Sequence, residues 1–337
     1  MKQLSIYLLG TVLAWLSCGE VTGQEKGDEV TEPEKVSVGM YIIDIHAINL
    51  STHSYGVDLY LWFRWKNPDL KPWETFEFMN PFDPEGLVIS VIYDEPKEQP
   101  DGSLYQCVRA QGLFTSKFPV NRYPFDSQKI LVAIEDSQEG IEYFQYVLDT
   151  DALTLNSEVK LPGYRIHPPK AVLRDKLYET TFGDLSEPEM GTYSRVEFLV
   201  PISRPPLPGV FKSFVPILLI ILSAGFALLL DPEHVEARIG LAITALLTLV
   251  AMQFTMLSGL PEVAYLTLID QIFLISFFYV LVVIAIIVYA TRVDQSGAIR
   301  GKTGSMAKLI QNGPPTAIVV TGTYLVGVAV ILLVNLL

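Results

Sequence analysis

The pattern of apolar and polar positions divides the chain into two parts of different character. Between about residues 35 and 203, short alternating runs such as VGMYIIDIHAI and VDLYLWFRW predominate, and they are rich in β-branched and aromatic residues. Turn-forming clusters such as DEPKEQPDG and LPG separate them. A period of two predicts half-buried strands, and turns at this spacing indicate an antiparallel β-sandwich. No long helix is indicated in this part.

Four long apolar segments follow, each about as long as a membrane-spanning helix. They cover about residues 210–230, 237–260, 266–290 and 315–337. A helix needs about 20 apolar residues to cross a hydrocarbon layer of about 30 Å. The predicted fold class is therefore β + α, with an extracellular antiparallel β-sandwich at 24–203 and a four-helix transmembrane domain at 204–337.

The N-terminus and the last link predict the same topology. Residues 1–23 hold a lysine, an apolar run too short for a membrane helix and a small-residue cleavage site, which indicates a secretory signal peptide. The link at 291–314 carries four Lys or Arg against one acid, so we expect it to be cytoplasmic. The sandwich then lies outside the cytoplasm, and the chain is a multi-pass protein of the cell (inner) membrane.

The net charge, the cysteines and the lack of catalytic motifs exclude several classes of function. The net charge is −13, and all of this negative charge falls on the sandwich, which should attract cations and repel nucleic acid. Once the signal is removed, Cys107 is the one remaining cysteine, so no intrachain disulfide is expected. The sequence shows no metal-ligand spacing, nucleophile motif or phosphate-binding loop. We therefore expect no catalytic residues, no cofactor, no bound metal and no enzyme activity.

The second apolar segment, EARIGLAITALLTLVAMQFTMLSGLP, carries charge at its start and hydroxyls along its length. At about 100° per residue, one stripe of this helix collects seven residues. They are Glu236, Gly240, Thr244, Leu247, Ala251, Phe254 and Ser258. Facing a shared axis, they would form a carboxylate ring, hydroxyl rings and apolar constrictions along a water-filled path. Alternatively, the hydroxyls bond only to backbone carbonyls, and the glutamate only favours the helix start. Arg238 points away from the stripe and is expected to reach the lipid headgroups.

Several motifs resemble those of the pentameric ligand-gated ion channels, the Cys-loop receptor superfamily. They are FPVNRYPFDSQ at 118–128, ISRPPLPGVFKSFVP at 202–216, EARIGLAITALLT and LPEVAYLTLID. The two cysteines that flank the YPFD loop in the eukaryotic members are absent, as in the bacterial branch. The resemblance implies a homopentamer with the stripe as its pore lining, and it places Leu247 at the family's leucine gate.

The resemblance implies a channel opened by an extracellular small-molecule agonist of unknown identity, embedded in a lipid bilayer. Glu236 stands where anion-selective relatives carry proline, while Ala237 and Arg238 match them. Five carboxylates at a narrow mouth should repel anions, so we expect monovalent cations to permeate. An anion-selective channel of the same fold, a proton-gated channel and a non-conducting membrane receptor are the alternatives.

The resemblance also implies residues for coupling and for ligand binding. The coupling residues are His53, Tyr123, Pro124, Phe125, Asp126, Arg204 and Pro261, and an ion pair between Asp126 and Arg204 is expected. The ligand residues are Tyr60, Arg109, Tyr178, Phe182 and Tyr193. Such aromatic rings suit an ammonium ligand, and Arg109 suits a carboxylate. EDSQEG at 135–140 lacks the aromatic residue expected in another binding loop. His53 and His234 are candidate proton sensors.

Overall fold

The computed structural model describes residues 32–183, 191–295 and 313–336. The predicted signal peptide, the tip of the hairpin before Gly191 and most of the last link lie outside these residues. Eleven strands and one short helix form the N-terminal domain. They are β1 Glu34–Asn49, β2 Ser54–Trp65, α1 Pro72–Thr75, β3 Phe76–Phe78, β4 Val88–Val91, β5 Lys97–Glu98, β6 Leu104–Thr115, β7 Ser127–Asp136, β8 Phe144–Leu155, β9 Arg165–Ile166, β10 Lys170–Leu177 and β11 Thr192–Ser203.

The strands form two sheets that pack face to face. One sheet has the order β4-β6-β2-β1-β8, with β5 also paired to β6, and the other has the order β10-β11-β7-β3, with β9 also paired to β11. All pairs are antiparallel except β1 with β8, which run parallel. A wholly antiparallel sandwich was therefore wrong in this detail. Strand β8 joins this sheet directly after β7, which lies in the other sheet.

Large apolar side chains fill the space between the sheets. The largest fully buried ones include Tyr55, Phe63, Trp65, Phe114 and Phe118. They come from alternating positions of β2 and β6 and from the segment after β6, as the period of two predicts. Cys107 is buried and unpaired. The sandwich is held by this core, without a disulfide among the described residues.

Four long helices follow: α2 Pro206–Phe226, α3 Val235–Leu257, α4 Leu268–Gln295 and α5 Gly313–Leu336. All four are long and apolar enough to cross a membrane. Helix α2 begins and ends four residues earlier than predicted. Its end tightens into i→i−3 turns, in which the amides of Leu228 and Leu229 bond Gly225 and Phe226. Helix α3 likewise ends three residues before the predicted boundary.

The helices share a second apolar core, built mainly from α4. Ile269, Ile272, Phe273, Val280 and Val283 of this helix are fully or almost fully buried. Helices α3 and α5 both pack against α2 and α4. The protein is therefore a multi-pass membrane protein with an extracellular sandwich domain, as predicted.

Candidate ion pathway, coupling junction and ligand pocket

The predicted stripe of α3 faces away from the helix bundle. All seven of its residues are exposed, with Leu247 at 65% and Phe254 at 73%. The opposite face of α3 is buried against the bundle through Arg238, Ala242, Ala245 and Leu249. Ala242 and Ala245 on this buried face allow close packing against the neighbouring helices.

The hydroxyls of α3 bond to backbone carbonyls, as the alternative interpretation expects, and their residues are also exposed. Thr244 Oγ1 donates to the Gly240 carbonyl at 2.8 Å, and Ser258 Oγ donates to the Thr255 carbonyl at 2.9 Å. Thr248 and Thr255 bond the carbonyls four residues earlier in the same way. With each hydrogen engaged by the backbone, these exposed oxygens present only lone pairs outward. Such oxygens can accept from water or coordinate a cation, but they have no hydrogen to offer an anion.

The basic residue at the inner end of α3 is buried. Arg238 is only 3% exposed, and its Nε donates to the Ala227 carbonyl at 2.9 Å. The expectation that it reaches the headgroups was therefore wrong. The last carbonyls of α2 lack helical partners and carry partial negative charge, so they attract the guanidinium. Glu236 is the charged residue on the stripe, and it is exposed.

At the base of the sandwich, Asp126 and Arg204 form the expected ion pair. Arg204 Nε donates to Asp126 Oδ1 at 2.8 Å, and the Asp126 side chain is 1% exposed. The second carboxylate oxygen accepts from Gln128 Nε2 at 2.6 Å. Arg204 also donates to Tyr164 Oη at 2.7 Å and lies over the rings of Tyr164 and Tyr123. No local pattern in the sequence points to Tyr164 or Gln128, because only the fold brings them to the pair.

The YPFD loop contacts the membrane helices directly. Phe125 stacks on Phe214 of α2 at a centroid distance of 5.7 Å. Pro124 lies against Gly209, where an added Cβ would come within 3.4 Å of the Pro124 carbonyl oxygen. Between α3 and α4, Pro261 is buried, and its neighbour Leu260 packs against the sandwich core. The predicted coupling residues therefore lie where the two domains meet.

Two hydrogen bonds made by backbone groups join the segment before the YPFD loop to the membrane domain. Asn121 O accepts from the Leu268 amide at 2.9 Å, and the Val120 amide donates to Tyr265 Oη at 3.3 Å. On the sandwich side, the Phe118 amide donates to His53 Nδ1 at 3.1 Å. His234, the other candidate sensor, is exposed just before α3, and no side-chain cap from it to the helix is present.

The hairpin between β10 and β11 is anchored by a polar triad. Tyr178 Oη donates to Glu135 Oε2 at 2.8 Å and accepts from Arg195 Nη2 at 3.1 Å, while Arg195 also pairs with Glu135. Burial and the bond to Glu135 raise the pKa of Tyr178, so its hydroxyl stays protonated. The Tyr178 ring contacts Phe182 and Tyr193 at 5.4 and 5.7 Å. Three predicted ligand residues thus form one aromatic cluster.

A cavity of about 280 Å³ opens beside this cluster. Its side chains come from the hairpin and from the turn after β7. Among its lining residues are Phe182, Tyr193, Tyr143, Glu139 and Glu142. Sequence reasoning missed the last three. Tyr143 follows EDSQEG closely and supplies an aromatic ring from that side, which the pattern EDSQEG-IEYF could have revealed.

The other predicted ligand residues lie on the six-stranded sheet. Tyr60 and Arg109 are opposite each other in the β2–β6 register, with the guanidinium 5.9 Å from the Tyr60 ring centroid. Arg109 makes two hydrogen bonds to Asp58, at 3.1 and 2.7 Å. These hydrogen bonds from Arg109 are the main reason that the pKa of Asp58 lies below its ordinary value. Within a single chain, Tyr60 and Arg109 therefore do not join the hairpin cluster. The carboxylate that Arg109 binds belongs to Asp58 of the same chain and not to a ligand.

Known channels and receptors are similar to this chain, although no family model matches it. The proton-gated ion channel of Gloeobacter violaceus is 23% identical over 272 residues, which cover 76% of this chain and 73% of that protein. Human gamma-aminobutyric acid receptor subunit rho-3 is 21% identical over 316 residues, covering 87% and 66%. The beta subunit of the same receptor type from Lymnaea stagnalis is 26% identical over 183 residues. These cover 53% of this chain but only 34% of that subunit.

The printed names of these relatives agree with the organisation found here. Their names describe channels and receptors rather than enzymes, which agrees with the absence of enzyme motifs. The sandwich followed by four spanning helices also fits a channel rather than an enzyme. The relatives support a homopentamer. No disulfide flanks the YPFD loop, because the chain has no cysteines there. The chain is therefore similar to the pentameric ligand-gated ion channels, in a form without the Cys-loop disulfide.

Proposed function

We propose that the protein conducts monovalent cations through a pore lined by the exposed stripe of α3. The observation that carries this proposal is the division of charge at the inner end of the helix. Glu236 lies on the free face, while Arg238 is buried and bonded to the α2 carbonyl. Five copies around a shared pore axis then present a ring of carboxylates to the ions, and no ring of guanidinium groups.

The magnitude of the effect favours cations. A unit charge 5 Å from a permeating ion interacts by about 1 kcal/mol in bulk water and by about 3 kcal/mol at an effective dielectric constant of 20. Several such charges around a narrow mouth therefore discriminate strongly between signs, since short distances escape salt screening. The outward lone pairs of Thr244 and Ser258 act in the same direction.

The closed state depends on the apolar part of the stripe. Leu247 and Phe254 are the large exposed apolar side chains of the stripe. Rings of such side chains exclude water when they are close together and admit it when they separate. Movement at the junction of Phe125 with Phe214 would reach the helices through α2. We therefore assign Leu247 and Phe254 to the gate.

Single-channel recording across a KCl gradient tests the conduction proposal. The purified protein is reconstituted in planar bilayers and challenged with n-butylamine and with pH steps. We expect the wild-type reversal potential to lie near the potassium equilibrium potential, and Glu236→Gln to move it toward zero. Glu158→Gln removes an exposed carboxylate of the sandwich domain and should leave the reversal potential unchanged. A wild-type potential near the chloride value would favour an anion channel, and no current under any condition would favour a non-conducting receptor.

For the agonist, we propose a small amine without a carboxylate. The hairpin cavity combines the acids Glu139 and Glu142 with the rings of Tyr143, Phe182 and Tyr193. An ammonium group is attracted by both the carboxylates and the ring faces. The candidate partner for a ligand carboxylate, Arg109, is already paired with Asp58. This arrangement supports an alkylammonium over an amino acid.

Comparing two probes separates these ligands. Current activation or calorimetric binding is measured with n-butylamine and with gamma-aminobutyric acid, which adds a carboxylate to a similar chain. We expect n-butylamine to be the stronger ligand, and the double variant Glu139→Gln, Glu142→Gln to weaken it about tenfold or more. Equal or stronger binding of gamma-aminobutyric acid, or an unaltered response of the double variant, would contradict the assignment.

A further inference from the structure

The turn between β1 and β2 holds His53 in an unusual backbone conformation. Its φ is +57°, in the left-handed region that residues other than glycine seldom adopt, although asparagine, aspartate and histidine are enriched there. The carbonyl of His53 accepts from Thr115 Oγ1 at 2.9 Å and from the Ser116 amide at 3.2 Å. These bonds fix the backbone so that the imidazole reaches the next segment of the chain.

The imidazole acts as a hydrogen-bond acceptor. His53 Nδ1 receives the Phe118 amide hydrogen at 3.1 Å, so Nδ1 must be unprotonated in this state. The Phe118 ring is buried between His53 and Tyr55, at centroid distances of 6.1 and 5.7 Å. The bond therefore closes a contact between the β1–β2 turn and residues 118–121.

Residues 118–121 are held from both sides. His53 binds Phe118 on the sandwich side, while Tyr265 and Leu268 of the membrane domain bind Val120 and Asn121. A change at His53 thus acts on a segment only two residues from the first contact with the membrane domain. This short path gives the turn a direct connection to the α3–α4 link.

We propose that His53 is a proton-sensitive latch, which holds the segment before the YPFD loop when neutral and releases it when protonated. A protonated imidazole carries a hydrogen on both ring nitrogens, so Nδ1 would face the Phe118 amide donor to donor. The released segment changes the coupling between sandwich and pore. This effect on gating rests on the proposed channel function, whereas the latch itself does not.

The surroundings favour the neutral form. Burial and the nearby charge of Lys117 lower the pKa of His53 from its ordinary value of 6.5. Of the other titratable neighbours, Tyr55 turns its hydroxyl to the Leu131 carbonyl, and Lys129 reaches Ser116 through its backbone carbonyl. The β1–β2 turn itself adds no further charge between Asn49 and Ser54. The latched state therefore binds its proton at lower pH than the released state, and release grows as the pH falls below about 6.5.

Hydrogen exchange of the Phe118 amide tests the latch without an agonist. The purified pentamer is measured at about pH 7.5 and about pH 5.5, with exchange times scaled to the intrinsic rates. We expect the protection of this amide to fall about fivefold at the lower pH, because the loss of one ordinary hydrogen bond changes the opening equilibrium by about this factor. His53→Asn should keep its protection at both values, because asparagine tolerates the left-handed backbone and its Oδ1 accepts without titrating.

Control variants sharpen the result. His46→Asn alters an exposed histidine of β1 and should retain the wild-type pH dependence. His53→Ala should show low protection at both values. Wild-type protection that does not change with pH, or a fall in His53→Asn equal to the wild type, would overturn the proposal. If the exchange effect is present but His53→Asn currents respond to pH like the wild type, the link to gating fails while the latch stands.

Discussion

Replacing Arg204 with glutamine should open the junction between the domains. In the wild type, Arg204 provides Asp126 with a charged hydrogen bond of 2.8 Å, and the aspartate is 1% exposed. In Arg204→Gln the buried carboxylate keeps only the bond from Gln128. Removing one partner of a buried pair leaves an uncompensated charge, which costs about 3–5 kcal/mol.

Replacing the other partner of the pair, Asp126, should destabilise the junction less. In Asp126→Asn, Arg204 keeps its bond to Tyr164 and its contacts with two rings, and 23% of its side chain is exposed to water. We expect a cost of about 1.5–3 kcal/mol, the value of one hydrogen bond to a charged group. The double variant leaves no buried unpaired charge and should cost about the same. Its effect is then roughly 3–5 kcal/mol smaller than the sum of the single effects.

The amide of residue 204 reports on this opening, because it donates to the Asp126 carbonyl at 3.1 Å. Its hydrogen-exchange protection in the pentamer gives the opening free energy under equilibrium conditions. A cost of about 3 kcal/mol corresponds to more than a hundredfold loss of protection.

Two results would refute the reasoning. One is a loss of less than about threefold in Arg204→Gln, which would mean that solvent replaces the guanidinium. The other is a double variant no better protected than Arg204→Gln, which would show that the aromatic contacts and not the charge stabilise the junction.

Three further substitutions test other parts of the structure. Leu247→Ala should weaken the apolar constriction, so that reconstituted channels open at lower amine concentration; an unchanged concentration dependence would exclude this gate. Tyr178→Phe removes the hydrogen bond to Glu135 but keeps the ring, and should raise the half-activating amine concentration about tenfold. If Tyr178 served only for packing, this substitution would leave that concentration unchanged. Tyr324→Phe removes the buried bond to Ser276 that joins α5 to α4 and should destabilise the bundle by about 1 kcal/mol; an unaltered thermal midpoint in detergent would count against it.

The sequence determined the features that depend on periodicity and on neighbours along the chain. The alternation of β2 and the length of the four apolar segments predicted the sandwich and the spanning helices, because burial of one strand face and of a membrane-length helix leaves a local signature. The stripe of α3 also followed from helical geometry alone. Motif resemblance added the pair of Asp126 with Arg204, which lie far apart in the chain.

Only the tertiary structure decided how side chains find partners across elements. The turn between α2 and α3 buries Arg238, and the β2–β6 register gives Arg109 its own carboxylate. The same long-range packing places Tyr143 beside the hairpin and Phe118 at the His53 ring. Partner choice depends on sheet register and chain crossovers, which many residues set together, so no local pattern encodes it.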